Sequence, residues 1–250
     1  LPVFRAHADG RMIGARLQPQ PDDHVPRFAY EDHLAALTGE DRHWPESTRR
    51  ISELRITLEF ERRKGFRKGP SELTIDIVDY PGEWLLDLPL LTKSYAQWSR
   101  ETLEASAAAA RAPFAAEWRG ATLAVAADAD ESETEAKRLA ELFTAYLRAA
   151  RADAYALSTL PPGRFLMPGE LEGSPALTFA PLRIEEGMEF GSGSLAAMME
   201  RRYEAYKAHV VKPFFRDHFA RLDRQIVLVD ALSALNSGPA AVRDLETALA

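Results

Sequence analysis

Thr74-Ile75-Asp76-Ile77-Val78-Asp79-Tyr80-Pro81-Gly82-Glu83-Trp84 is an apolar, β-branched run that ends in an aspartate, with a glycine three residues further on. β-Branched residues favour strands, and ligands of open α/β sheets bind beyond the carboxyl ends of strands. A carboxylate at that end suits a metal ion. A glycine amide three positions later suits a terminal phosphate, and together they make the outline of a nucleotide-switch strand. The same letters also suit a plain turn, because Asp, Pro and Gly each favour one for separate reasons. A chain of 250 residues should carry about one D-x-x-G by chance, so the surroundings have to separate the two readings.

Upstream, Leu54, Ile56, Leu58 and Phe60 alternate with polar residues between Ile51 and Phe60, the period-two pattern of a half-buried strand. A basic link (Arg62, Arg63, Lys64, Gly65, Arg67, Lys68, Gly69, Pro70) then leads to Leu73–Asp79. Strand, turn residues and strand predict an antiparallel pair. The link reads as a solvated hairpin tip, with a phosphate or acidic partner as the alternative. Residues 1–47 are rich in proline and mixed polar groups and read as an irregular cover, with one short helix over Tyr30–Leu37.

Downstream the texture becomes helical. Tyr95 with Trp98 and Phe114 with Trp118 are helix-spaced aromatics, interrupted near Pro113. Ser132-x-x-Glu135 predicts a capping box, in which hydroxyl and carboxylate each satisfy an orphan backbone donor. Behind it Leu139, Leu142, Phe143, Tyr146 and Leu147 form an amphipathic stripe. Five prolines between 158 and 193 predict a loop-rich crossing with short strands at most. Helix returns over Leu195–Tyr206, is interrupted at Pro213, and continues on a face with Phe215, His218, Phe219 and Leu222. Ile226–Leu232 is a short apolar run that reads as a strand buried on both faces of a parallel sheet. Ser237-Gly238-Pro239 opens a final helix.

Composition narrows the function classes. With 46% hydrophobic and 28% charged residues the chain is an ordinary globular one. A net charge of −7 argues against a nucleic-acid partner. The absence of cysteine excludes a disulfide framework and a thiolate metal site, and fits a cytoplasmic protein. No apolar run approaches the length of a membrane span. The six histidines lack ligand spacing for zinc. The start, Leu1-Pro2-Val3-Phe4-Arg5, has neither an initiator Met nor a signal-peptide pattern and reads as the interior of a longer gene product.

Four strings carry a resemblance: WPESTRRISELRI (44–56), DYPGEWLLDLPLL (79–91), PGRFLMPGELEGSPAL (162–177) and HVVKPFFRDHFARLDRQIVLVDALSALNSG (209–238). The chain resembles, over nearly its whole length, the YcjX-like family, predicted bacterial P-loop nucleotide triphosphatases related to the GTPase switch proteins. The resemblance implies an α/β fold: a P-loop NTPase core sheet of the GTPase type, incomplete here, with a large helical insertion. Residues 1–91 would form the N-terminal part of that core with both switch strands. Residues 92–222 would be the insertion with its Pro/Gly-rich crossing, and 223–250 the return to the core. It also implies binding of GTP or ATP with Mg²⁺ and hydrolysis at the γ-phosphate.

By the resemblance, Asp79 and Gly82 match the switch-II D-x-x-G, with Asp79 on Mg²⁺ and the Gly82 amide on the γ-phosphate. Thr48 matches the switch-I threonine that closes over metal and nucleotide, with Ser47 as second candidate. Glu83 stands where switch GTPases often position the attacking water, and its carboxylate would orient that water by accepting a hydrogen bond. The competing reading of Glu83 is a solvent-facing acid after a turn. Arg216, Arg221 and Arg224 are candidates for an arginine supplied in cis, with ion pairing as the alternative.

Two family features have no match. No G-x-x-x-x-G-K-[ST] phosphate loop and no N/T-K-x-D guanine-reading motif occurs in the sequence. The expectation is truncation at both ends, and no hydrolysis by the piece alone, because the phosphoryl group would lack its main electrostatic clamp. The strand that feeds a phosphate loop would lie between Leu73–Asp79 and Ile226–Leu232, predicting a gap there or direct pairing of the two. The rival to a nucleotide switch is a non-catalytic scaffold that docks a protein partner on its helices.

Overall fold

A computed structural model describes residues 2–46, 48–62, 69–152, 160–185 and 187–249. The chain forms two compact units, Leu1–Pro81 and Gly82–Ala250. Together they make a mixed α/β protein with one small antiparallel sheet and many helices.

The first unit is built on a sheet of order β1-β2-β3, with β1 Met12–Gln18, β2 Ser52–Arg62 and β3 Gly69–Asp79. The predicted β2–β3 pair is antiparallel and runs in unbroken register from Ser52 opposite Asp79 to Arg62 opposite Gly69. Cross-strand pairs hold that register: Arg55 donates to both carboxylate oxygens of its partner Asp76 at 2.5 and 2.7 Å, and Thr57 and Thr74 share a hydroxyl bond of 3.1 Å. Arg63, Lys64, Gly65, Arg67 and Lys68 of the basic link lie outside the described residues.

Residues 1–47 are more regular than their composition suggests. β1 pairs antiparallel with β2, with a register shift between Met12 and Gly14. Helices α1 Pro2–Ala8 and α2 Tyr30–Thr38 flank it, the second close to its predicted bounds. The β2 burial pattern also departs from simple alternation. Thr57 and Glu53 are buried on it beside Leu54: Pro26 and Phe28 bond the backbone of Glu53 and cover that end of the strand, and Thr57 bonds Gln18 of β1 and Thr74 of β3.

The second unit is helical: α3 Tyr95–Ala105, α4 Ala112–Ala124, α5 Glu133–Ala152, the single turn α6 Gly163–Leu166, α7 Leu195–Tyr206, α8 Lys212–Asp217, α9 Ala231–Ser237 and α10 Pro239–Leu249. Ahead of them, Gly82–Thr92 winds as 3-10 turns around Pro89. The predicted α5 stripe faces inward, with Leu139, Phe143, Tyr146 and Leu147 buried. At its start the Ser132 hydroxyl accepts from the Glu135 amide at 3.3 Å. The Glu135 carboxylate pairs with Arg138 instead of completing the predicted box, since a guanidinium three residues on offers a charge-assisted partner.

The core is a stack of aromatic rings. Trp98 lies parallel to Tyr203 at 5.1 Å and edge-on to Phe143 and Phe179, while Trp118 stacks on Tyr146 at 5.3 Å. Two core tyrosines hold irregular segments by their hydroxyls. Tyr95 donates to the Ala180 carbonyl at 2.7 Å, and Tyr203 to the Lys93 carbonyl at 3.1 Å. Pro113 sits in the first turn of α4, where its missing N–H costs nothing. The regular α-helix is interrupted ahead of Pro213 and resumes as predicted, with the irregularity at 207–211 and Pro213 itself in the first turn of α8. A π-helical stretch, Lys207–Val211, widens the turn ahead of it and carries the chain into α8, which relieves the clash of a proline ring with the preceding carbonyls.

The largest departure is Ile226–Leu232. It joins no strand; residues 226–230 are irregular and α9 begins at Ala231. Ile226 is 78% and Leu228 92% exposed, the opposite of a strand buried on both faces. Leu73–Asp79, as β3, pairs with β2 alone among the described residues. A short apolar run has no periodicity to separate a buried strand from other states, and Asp230 caps α9 through the Ser233 amide at 2.9 Å, which claims the end of the run for a helix.

Candidate functional site

The antiparallel register sets the last residue of β3 beside the first of β2, so the segment leading into β2 lies within reach of Asp79. Thr48 is in that segment. Its hydroxyl donates to the Asp79 carboxylate at 2.7 Å, joining two residues 31 apart in sequence. With that proton committed, the hydroxyl lone pairs and the second carboxylate oxygen remain as acceptors. These are hard oxygen donors. Mg²⁺ binds through one or two such protein oxygens while keeping waters and phosphate oxygens, so the pair fits this ion; no group of three or more His, Asp or Glu able to hold a metal occurs among the described residues. Ser47 lies outside the described residues.

Gly82 and Glu83 open the 3-10 segment of the helical unit. Gly82 is exposed. The Glu83 side chain is only 19% exposed and accepts a hydrogen bond from the Arg151 guanidinium near the end of α5, so within this unit it is a held carboxylate and not a free surface acid. Its backbone is fixed as well. A Cβ built on Gly163 would fall on the Glu83 carbonyl oxygen, well inside van der Waals contact, so only glycine fits at 163. Arg216 pairs with its neighbour Asp217 at 2.6 Å on the surface.

Beyond Glu83 the segment is bolted down by buried polar groups. The Trp84 indole donates to the Met167 carbonyl at 2.9 Å, and the Arg164 guanidinium lies 3.1 Å from its ring centroid. Asp87 is buried. It accepts from the Gly163 amide at 2.7 Å and from the Tyr206 hydroxyl at 2.6 Å. Burial pushes its carboxyl up to about 6, against the opposing pull of those two bonds and of the Arg164 charge. Burial and the Asp87 charge also raise the Tyr206 phenol. Burial lowers the Arg164 guanidinium, with the charge of Asp87 opposing.

A carboxyl whose folded pKa lies above its unfolded value near 3.9 binds an extra proton in the folded state between the two. Its contribution to stability is therefore complete below about pH 4 and lost as the pH rises through about 6. A difference of about two pKa units is worth roughly 3 kcal/mol. Asp87→Asn should remove this slope. Urea unfolding of both proteins at pH 4.5 and 7.5 checks it: about 1.5 of those pH units lie above 4.5, so the wild type is expected to lose roughly 2 kcal/mol relative to the variant, and parallel profiles would refute the assignment.

The sequence reading gave these residues no part in an anchorage. Arg151, Gly163 and Tyr206 lie 68, 76 and 119 positions from their partners. The legible signal was Asp87 itself, a lone carboxylate inside Trp-Leu-Leu-Asp-Leu-Pro-Leu-Leu, since a buried acid needs donors.

The model of the YcjX-like family, DUF463, matches residues 1–250. The chain belongs to the YcjX-like family. Two YcjX-like relatives are both called Ras-like GTPase YcjX. The one from Escherichia coli (strain K12) is 38% identical over 260 residues, covering 100% of this chain and 55% of its own length. The one from Shewanella oneidensis (strain MR-1) is 40% identical over 261 residues, covering 100% of this chain and 53% of its own. The chain thus spans about half the length of the curated relatives it matches. No described helix of this YcjX-like chain is long and apolar enough to cross a membrane.

Proposed function

We propose that the whole protein is a GTP-binding and GTP-hydrolysing switch of the cytoplasm, in which this chain supplies both switch segments and the helical insertion. The observation that carries the reading is the Thr48–Asp79 hydrogen bond. Two residues matched separately to switch I and switch II, by resemblance alone, meet at the end of one strand. GTP is preferred over ATP because both relatives bear the name GTPase. In this reading 1–91 belong to a P-loop core, 92–222 to the insertion, and 223–250 return to the core.

Each side chain then has a role. Asp79 and Thr48 would hold Mg²⁺ through their free oxygen lone pairs. The Gly82 amide donates to the γ-phosphate, a charge-assisted bond stronger than a neutral one. Glu83 accepts a hydrogen bond from the attacking water and orients it for in-line approach. Mg²⁺, when bound, neutralises charge on the phosphate oxygens. The phosphate loop and the base-reading motif, neither of which this chain contains, have to come from elsewhere in the whole protein.

Titration of the full-length protein with fluorescent GTP, with and without Mg²⁺, tests the proposal. Asp79→Ala and Thr48→Ala should each weaken Mg²⁺-dependent binding by roughly 10–100-fold, the worth of a lost charge-assisted contact of about 1.5–3 kcal/mol. Unchanged affinity in both would remove the site. Failure of the wild type to bind either GTP or ATP at micromolar concentration would favour the scaffold instead.

A further inference from the structure

Glu83 is gripped twice by the helical unit, through its side chain by Arg151 and through its backbone by the close approach of Gly163. We infer that Arg151 is the positioning residue for Glu83: it holds the carboxylate in the one orientation from which a water can be aligned. The inference rests on the role proposed for Glu83.

The physical case starts from what a lone glutamate does. A free Glu side chain samples several rotamers, and fixing it carries an entropic penalty. A carboxylate that must align water gains if that penalty is met before the reactants arrive. Arg151 meets it. Its Nη2 engages Oε1 of Glu83 and, among the described residues, leaves Oε2 with both its lone pairs as an acceptor. A partly exposed ion pair adds little to stability, so orientation is the larger effect available to it here. The backbone supports the same geometry, because Gly163 also donates to Asp87 four residues along and so fixes the segment on both sides of Trp84.

The rival account gives Arg151 a structural role only. It lies in the last turn of α5, where a cation complements the helix dipole. That role would lower stability and leave the chemistry alone, or lower the rate whether or not Glu83 is present.

A double-mutant cycle in the full-length protein separates these accounts. GTP hydrolysis is measured for wild type, Glu83→Ala, Arg151→Ala and the double variant, with thermal melting of each as control. The expected result is a kcat at least tenfold lower in Glu83→Ala and about fivefold lower in Arg151→Ala. KM should stay within about twofold, and Arg151→Ala should have no further effect in the Glu83→Ala background. Arg151→Lys, which keeps the charge without the planar fork, should fall between wild type and Arg151→Ala, and it carries the test if the alanine variant does not fold. Equal losses in both backgrounds, a change in KM alone, or a full-rate Arg151→Ala would overturn the inference while leaving Glu83 its role. An unaffected Glu83→Ala would overturn both.

Discussion

Trp98→Ala is expected to lower the stability of the helical unit by about 3–5 kcal/mol, the usual cost of emptying a large aromatic from a core. Trp98 is 1% exposed and packs against four other buried rings, that of Tyr95 on its own helix and those of Tyr203, Phe143 and Phe179. The last three come from α7, α5 and the crossing between them. They cannot all collapse inward, because Tyr203 is tied by its hydroxyl to the carbonyl of Lys93. Most of the cavity should therefore persist. Trp44→Ala is the control, since Trp44 is 85% exposed and its loss should fall within about 0.5 kcal/mol. Denaturant midpoints read at constant m-value compare the two, and equal effects would contradict the ring stack.

Gly163→Ala should have the second-largest effect, a loss of at least about 1–3 kcal/mol from overpacking. The new methyl has to displace the Glu83 carbonyl, a backbone atom that no rotamer change can move. The same displacement pulls the Gly163 amide from Asp87 and leaves a buried carboxylate short of a donor. Gly120 supplies a contrast of opposite sign. It sits exposed within α4, and nothing meets a Cβ there. Gly120→Ala should thus stabilise by about 0.5–1 kcal/mol. Thermal melts of both variants check the prediction, and a neutral Gly163→Ala would show that the segment is free to shift.

The elements that could be read from the sequence are those whose information is local. β2 and β3 declare themselves by alternation around a turn-rich link, and α5 by a serine cap ahead of a stripe from Leu139 to Leu147. Both forms survive folding because a nearby partner satisfies the pattern. β1 gave no such sign, since its seven residues include Gly14 and most of them are exposed. Ile226–Val229 misled for the converse reason: an apolar run declares what it would like to bury, not whether anything covers it. At the site, resemblance to two switch motifs singled out Thr48 and Asp79 one by one, and their hydrogen bond emerged only with the sheet register. The grip on Glu83 was hidden too, because Arg151 is an ordinary helix-end cation until α5 and the 3-10 segment are brought together.

Trp84 has an optical consequence. Its indole sits two residues past Gly82, beneath the Arg164 guanidinium and edge-on to Phe214 at 5.3 Å. A cation over the ring perturbs the excited state, so this chromophore senses its own seating. Trp44 emits from water and can be replaced without touching the core. The protein thus carries, next to the glycine that marks its proposed switch, a native lamp whose colour and brightness depend on whether that stretch of chain is docked.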